Sequence, residues 1–266
     1  MTNGHVFMSA FPSRAFALSL QSLLLTLLLA SCSTSPVVIQ SNQLSAKRFE
    51  LNHKECVVLV HGLWRSSSAM TSIENDLQTY GYRTITIDYP STTENIPALV
   101  KDYLEQGYQQ CVATGVPIIH FVTHSLGGIL VRQFLQSHHL PEGGKVVMLS
   151  PPNKGSELSE KFGASGWYQW LVGPAGVSLS MKEGGLLRSL KAITEPLGII
   201  AAYRDWSLWP ESWLPTPNDG TVSVESTKLA EMDDFIMVNS GHSFMRFNDE
   251  VHSQIRQFLA YGAFLH

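Results

Sequence analysis

The most informative stretch of the chain is PIIHFVTHSLGG, residues 117–128. Its first part, 117–123, is largely apolar and rich in β-branched residues, as expected of a strand buried on both faces. The apolar spacing of 126–138 predicts a helix directly after it. Ser125 therefore falls at the turn between a buried strand and a helix, and Gly127 lets the two backbones pack closely.

The same rhythm of strands and helices extends in both directions. Apolar runs predict strands at 56–60, 83–89, 117–123, 145–150, 197–203 and 234–239, and helical spacing predicts helices at 66–80, 96–113, 126–138 and 248–261. This alternation predicts an α/β fold with a mostly parallel central sheet and helices on both faces. Residues 154–192 break the rhythm, and we expect them to form an inserted cap over the strand ends.

Composition narrows the class of protein. The chain has 266 residues, of which 44% are hydrophobic and 15% charged, and its formal net charge is −4. It can build a core of normal size, which excludes a disordered chain. Without a basic excess, nucleic acid is not an expected partner. No metal-ligand cluster or nucleotide motif stands out, so we expect no metal and no cofactor.

The amino-terminal residues predict export. An apolar run over 16–30 follows Arg14, and residues 1–31 contain no Asp, Glu or Lys. The run is short for a membrane span of about 20 residues but suits a signal peptide. Leu29-Ala30-Ser31-Cys32 resembles the lipobox of bacterial lipoproteins, which implies cleavage before Cys32 and a lipid on its sulfur. An ordinary secreted protein or an uncleaved anchor is the alternative.

The lipoprotein resemblance also implies a location. Ser33 stands where an Asp would retain such a protein at the inner membrane, so an anchor in the outer membrane, facing the periplasm, is expected. Residues 32–50 would be a polar tether and 51–266 the folded domain. In that oxidising compartment Cys56 and Cys111 either form a disulfide or remain two buried thiols.

A motif around Ser125 resembles a known family. Thr123-His124-Ser125-Leu126-Gly127-Gly128 resembles the nucleophile elbow of the α/β hydrolases, although Thr123 stands where that family usually has Gly. The resemblance implies an acid and then a histidine later in the chain. Residues 218–222, Asn-Asp-Gly-Thr-Val, are similar to the acid motif of lipases and point to Asp219. Asp205 and Glu225 are the alternatives.

The base is expected after the last strand. Residues 239–244, NSGHSF, follow that strand and contain His242, whereas His252 is expected to face solvent from the terminal helix. His61, His120 and His124 are expected to be structural. The resemblance implies backbone N–H groups as oxyanion donors, that of Leu126 after the serine and that of Leu63 in the loop His61-Gly62-Leu63-Trp64.

The family resemblance covers roughly residues 55–260. Over this range the chain is similar to bacterial hydrolases that are often grouped with lipases. It implies a serine esterase without a cofactor. Five tryptophans between 167 and 213 suit hydrophobic acyl groups or membrane contact, unless they form the core of the cap: Trp167, Trp170, Trp206, Trp209 and Trp213. An acyltransferase, a thioesterase or a non-catalytic protein that binds an acylated ligand or a partner remains an alternative.

Overall fold

Six parallel strands form one sheet in the computed structural model, which describes residues 54–180, 185–204, 207 and 209–266. The strands are β1 (Glu55–Val60), β2 (Arg83–Ile87), β3 (Ile118–His124), β4 (Val146–Leu149), β5 (Leu197–Tyr203) and β6 (Asp234–Asn239). All neighbours run parallel, in the order β2-β1-β3-β4-β5-β6. The parallel sheet predicted from the alternation of elements is therefore confirmed.

Helices are found within the four predicted ranges, and further helices that were not predicted lie at 157–162, 166–177, 186–189 and 224–227. They are α1 (Thr71–Thr79), α2 (Ile96–Leu99), α3 (Glu105–Ala113), α4 (Leu126–Phe134), α5 (Glu157–Phe162), α6 (Gly166–Val177), α7 (Leu186–Ser189), α8 (Val224–Thr227) and α9 (Asp249–Tyr261). The helix predicted over 96–113 is α2 and α3 joined by a π-helical turn, Val100–Leu104. The helix α9 begins where the Asn248 side chain accepts a bond from the Glu250 N–H, and it ends at Gly262, whose φ is 75°.

The core lies on both faces of the sheet because successive strand residues point to opposite sides. In β1, Cys56, Val58 and Val60 face α2, α3 and α4, while Val57 and Leu59 face α1 and α9. All five side chains are fully buried. This double burial explains why the sequence of β1 is a continuous apolar run rather than an alternating one.

The topology determines where a site can form. The chain passes from β1 to β2 on one side and then returns to β3 on the other side of β1. In such sheets the crevice beyond the carboxyl ends of the strands, at the point where the order reverses, is the usual binding site. The loops after β1 and β3 meet there, and they carry Leu63 and Ser125.

Several predictions lie outside the described residues or are not decided by them. The signal peptide 1–31, Cys32 and the tether 32–50 lie outside. The proposed cap, 154–192, contains α5, α6 and α7 among its described residues. None of the described helices is both long and apolar enough to span a bilayer.

The structure joins the sulfur atoms of Cys56 in β1 and Cys111 in α3, whose Cα atoms lie 5.8 Å apart. The bond closes a loop with a sequence separation of 55, which restricts the unfolded chain.

We expect the double variant Cys56→Ala, Cys111→Ala to lose about 4 kcal/mol of unfolding free energy in urea denaturation. A non-reducing digest should yield one peptide pair containing both cysteines, and recovery of the two as free thiols would contradict this expectation.

Candidate active site

Ser125 sits at the sharp turn between β3 and α4. Its backbone has φ 55° and ψ −123°, a conformation that costs a non-glycine residue about 1–3 kcal/mol. The turn is held on one side by the Ser125 N–H, which donates to the Leu149 carbonyl oxygen of β4 at 2.9 Å. Strained backbone of this kind persists only where the surrounding structure demands it, and here it turns the serine hydroxyl toward the loops beyond the sheet.

Gly127 explains why the turn can be so tight. A Cβ at this position would lie 2.5 Å from the Val60 oxygen and 2.8 Å from the His61 oxygen. Any side chain would therefore push α4 away from the end of β1. The expectation that this position must be small has a direct steric cause.

Thr123, the departure from the usual Gly, has a fully buried side chain. Its hydroxyl oxygen lies on the side of Gly128, where an added Cβ would be in ordinary contact with it at 3.4 Å. The hydroxyl has no hydrogen-bond partner among the described residues, so it acts as a space-filling group rather than a polar one.

Three side chains from separate loops meet at the serine. The hydroxyl of Ser125 lies 3.0 Å from His242 Nε2, and His242 Nδ1 lies 2.6 Å from Asp219 Oδ2. With the proton on Nδ1, the imidazole donates to the carboxylate and its other nitrogen accepts from the serine. Such a chain can activate a hydroxyl for nucleophilic attack.

The carboxylate of Asp219 is almost fully buried, and its surroundings keep it charged. Burial is the largest single influence on the pKa of this carboxyl and raises it, but the charge and hydrogen bond of His242, together with two backbone hydrogen bonds, lower it. The N–H groups of Thr221 and Val222 also donate to Asp219 Oδ1, at 2.9 and 2.8 Å. The net result is a pKa below the usual value, so the group is ionised at neutral pH.

Backbone contacts hold the two loops together. The His242 N–H donates to the Asp219 carbonyl oxygen at 3.0 Å. His124 Nε2 donates to the His242 carbonyl oxygen at 2.9 Å, and this bond fixes the backbone of His242 against the end of β3. Burial, and then the nearby charge of His242, lowers the pKa of His124 well below its usual value. His124 therefore stays neutral, in agreement with the structural role expected for it.

The loop after β1 is held by contacts that the sequence did not predict. The Tyr89 hydroxyl donates to the His61 carbonyl oxygen, and the two rings stack with centroids 4.0 Å apart. The Trp64 N–H donates to Ser91 Oγ at 3.0 Å. Tyr89 and Ser91 follow β2, so the only available signal was that loops at the carboxyl ends of adjacent strands lie close together.

The N–H groups of Leu63 and Leu126 are left without an acceptor among the described residues. Leu126 is the first residue of α4, and the first N–H groups of a helix have no partner within it. Leu63 precedes the anchored Trp64 in the loop that packs against the serine turn, where a Cβ on Gly62 would lie 2.9 Å from Ser125 Cβ. Both predicted donors are thus near the serine and unoccupied.

A cavity of about 660 Å³ opens beside Ser125 and His242. That size falls within the range of small-molecule sites. Most of its lining is apolar and comes from the segment between β4 and β5 and from the loop after β5: Leu158, Phe162, Trp167, Leu171, Val172, Leu179, Trp209, Trp213 and Val222. Such a lining suits a hydrophobic group next to the serine.

Residues 57–254 match the sequence pattern of the alpha/beta hydrolase family, and that span is most of the chain. This chain belongs to the alpha/beta hydrolase family. The match confirms the fold class implied by the serine turn, and the parallel sheet agrees with it. No curated protein matches the chain.

Solved structures show the same fold. The mature form of lipase BlEst2 from Bacillus licheniformis is 20% identical with a TM-score of 0.58, over 76% of this hydrolase and 91% of that chain. Its propeptide form is 23% identical with a TM-score of 0.63, over 80% and 52%. An esterase from Exiguobacterium antarcticum is 16% identical with a TM-score of 0.52, over 77% and 91%.

The alternative residues for the acid and base are placed differently. Glu225 of this hydrolase is exposed and pairs with Lys154 and Lys228, and Asp205 lies outside the described residues.

The expectation that His252 faces solvent is wrong. It is buried, and its Nε2 bonds the Arg246 carbonyl oxygen at 2.8 Å, because the terminal helix turns this face toward the preceding loop.

The remaining predicted features are also located. His61 and His120 are fully buried, and burial lowers the pKa of His61, which favours its neutral form. Trp167, Trp209 and Trp213 line the cavity, whereas Trp170 is 83% exposed and Trp206 lies outside the described residues. Within the described ranges, no group of three or more His, Cys, Asp or Glu residues is arranged to hold a metal ion.

The contact at Gly127 yields a stability test. We expect Gly127→Ala to lower the unfolding free energy by about 1–3 kcal/mol, because its Cβ would overlap two backbone oxygens that cannot move freely. Gly166→Ala is the matched control, since a Cβ there meets nothing within 4 Å. Urea denaturation measures both, and equal stabilities of the two variants would contradict the steric account.

Proposed function

We propose that this protein is a serine hydrolase that cleaves carboxylic esters of hydrophobic acyl groups through an acyl-serine intermediate. One observation carries the proposal. The hydrogen-bonded series Ser125, His242 and Asp219 opens directly onto an apolar cavity. A protein that only bound an acylated ligand would need the cavity but not the three aligned polar groups.

In the proposed mechanism, Ser125 Oγ attacks the ester carbonyl carbon while His242 Nε2 takes its proton. Asp219 holds the imidazole in the required tautomer and stabilises its positive charge. His242 then gives the proton to the departing alcohol, which leaves an acyl group on Ser125. A water molecule, activated by the same histidine, releases the carboxylic acid and restores the serine.

The oxyanion that forms on the carbonyl oxygen needs donors. We assign this role to the N–H groups of Leu63 and Leu126, which lie beside the serine and lack other acceptors among the described residues. Because Tyr89 and Ser91 hold the loop that carries Leu63, little reorganisation is required when charge develops. Preorganised donors of this kind supply much of the rate enhancement in acyl transfer.

The hydrophobic preference rests on the lining of the cavity. The helices α5 and α6 contribute Leu158, Phe162, Leu171 and Val172 to it. The names of two structural neighbours, a lipase and an esterase, are in keeping with this chemistry.

We further propose that the enzyme is exported and anchored through a lipid on Cys32 to the outer membrane, facing the periplasm.

The first test uses a fluorophosphonate probe with detection by intact mass. We expect one adduct on the wild type and none on Ser125→Ala, because only an activated serine attacks such probes. Ester turnover in that variant should fall by at least about a thousandfold. A folded wild-type protein that gains no adduct, with or without detergent, would instead support the role of a binding protein.

The second test addresses the acyl half of the substrate. We expect kcat/KM for a series of acetyl to palmitoyl esters to rise with chain length until the cavity is filled, because each buried methylene contributes up to about 0.8 kcal/mol. Steady-state assays measure the trend. A preference for acetyl or butyryl esters would contradict it and leave a short-chain esterase. Added alcohol acceptors in the same assay separate acyl transfer from hydrolysis.

A further inference from the structure

Arg65 is placed unlike any other residue of the cavity. It is exposed, and it lines the same cavity as Ser125 and His242. Among the described residues that line this cavity, Arg65 alone carries a permanent positive charge. None of these lining residues is an Asp or a Glu. Its guanidinium donates from Nη2 to Ser243 Oγ at 3.0 Å, so the charge is held next to the residue that follows His242.

The guanidinium of Arg65 has no carboxylate partner among the described residues, where ion pairs extend to 4.0 Å. Because only one donor of Arg65 is used, several N–H groups remain available for a ligand.

A second arginine, Arg246, lies three residues after Ser243 in the chain. Arg246 is buried, donates to the Ala69 carbonyl oxygen, and its Nε has no partner among the described residues. It has no carboxylate within ion-pair distance there either. Burial, and then the positive charge of Arg65, lowers the pKa of Arg246. Uncompensated positive charge at the rim of an apolar cavity favours an anion.

The position of Arg65 relative to His242 indicates which half of an ester it would meet. The histidine that takes the serine proton later delivers it to the alcohol oxygen, so that oxygen must lie near His242 Nε2. Ser243 follows this histidine in the chain, Arg65 bonds Ser243, and Arg65 and His242 line the same cavity. The apolar lining from α5 and α6 receives the acyl half, and the charged edge receives the alcohol half.

We propose that Arg65 selects esters whose alcohol half carries an anionic group, with phosphate the best match to the guanidinium fork. The inference rests on the proposed function and narrows its substrate class to single-chain acyl esters of phosphorylated alcohols. Arginine binds phosphate through paired, charge-assisted hydrogen bonds that a neutral polyol cannot form.

The reaction leaves the phosphate untouched. The Ser125 oxygen forms a bond to the carbonyl carbon as the bond from that carbon to the alcohol oxygen breaks. The serine proton passes through His242 to the alcohol oxygen, so a phosphorylated alcohol departs. Water then cleaves the acyl-serine bond, and the products are a carboxylic acid and the phosphorylated alcohol.

The test compares four octanoyl esters below their micelle concentrations: octanoylglycerol, octanoylglycerol phosphate, the octanoyl ester of glyceric acid, and octanoylcholine. We expect kcat/KM of the wild type to be about tenfold higher for the phosphate than for the neutral ester, and lowest for the cationic one. The glycerate ester separates recognition of phosphate from recognition of any anion. The preference should shrink at high ionic strength, because the site is exposed.

Variants isolate the charge of Arg65. Arg65→Gln should lower the ratio of kcat/KM for the phosphate over the neutral ester about tenfold, and Arg65→Lys should lower it less. Ser243→Ala removes the hydrogen bond but keeps the charge, so the ratio should be retained. Arg83→Gln is the matched control, because Arg83 is an exposed arginine at the opposite end of the sheet.

The outcomes separate the two proposals. A wild type that cleaves neutral and phosphorylated esters equally, or an Arg65→Gln variant that slows both by the same factor, would overturn the role of Arg65 and leave the esterase intact. A wild type that prefers the glycerate ester to the phosphate would overturn the choice of phosphate. A folded wild type that neither cleaves any ester nor reacts with the fluorophosphonate would overturn the proposed function itself.

Discussion

The contact between α4 and the end of β1 governs the geometry of the site. Gly127 faces the carbonyl oxygens of Val60 and His61 with no room for a side chain. This close approach forces the strained backbone at Ser125 and brings the loop after β1 beside it. If the helix moved outward, Ser125 and the N–H group of Leu126 would move away from the loop that carries Leu63.

A second set of contacts holds His242 and Asp219 beside the serine turn. The loop after β6 is bonded to the loop after β5 through the His242 N–H and to the serine turn through the His124 ring. The buried Asp219 carboxylate is satisfied by two N–H groups of its own turn. Hence each polar group at the site is placed by backbone hydrogen bonds in addition to its partner side chain, which leaves the rotamers little freedom.

The sequence predicted most of the fold for a simple reason. Strands buried on both faces, such as β1, β3, β4 and β5, are largely continuous apolar runs, and the six strands lie where they were predicted, with ends shifted by a residue or two. Irregular features were not predictable, because the π-helical turn at Val100–Leu104 and the short helices α5 and α7 leave no periodic signal. The wrong expectation for His252 has a similar cause. A histidine on an amphipathic helix is predicted to be exposed, because the sequence does not show that a carbonyl oxygen, here that of Arg246, accepts its N–H.

The resemblance of the motif to a known family predicted Ser125 as the nucleophile and the order of the acid and base after it, and the serine turn needs glycine at a fixed spacing. The sequence also determined the parallel sheet, because apolar runs that alternate with helices permit few other arrangements. Only the tertiary structure decided that Tyr89 and Ser91 hold the loop of Leu63, that Cys56 lies next to Cys111, and that Arg65 reaches Ser243. These contacts join residues far apart in the chain, and their partners are set by how the loops at the sheet edge pack rather than by any local pattern.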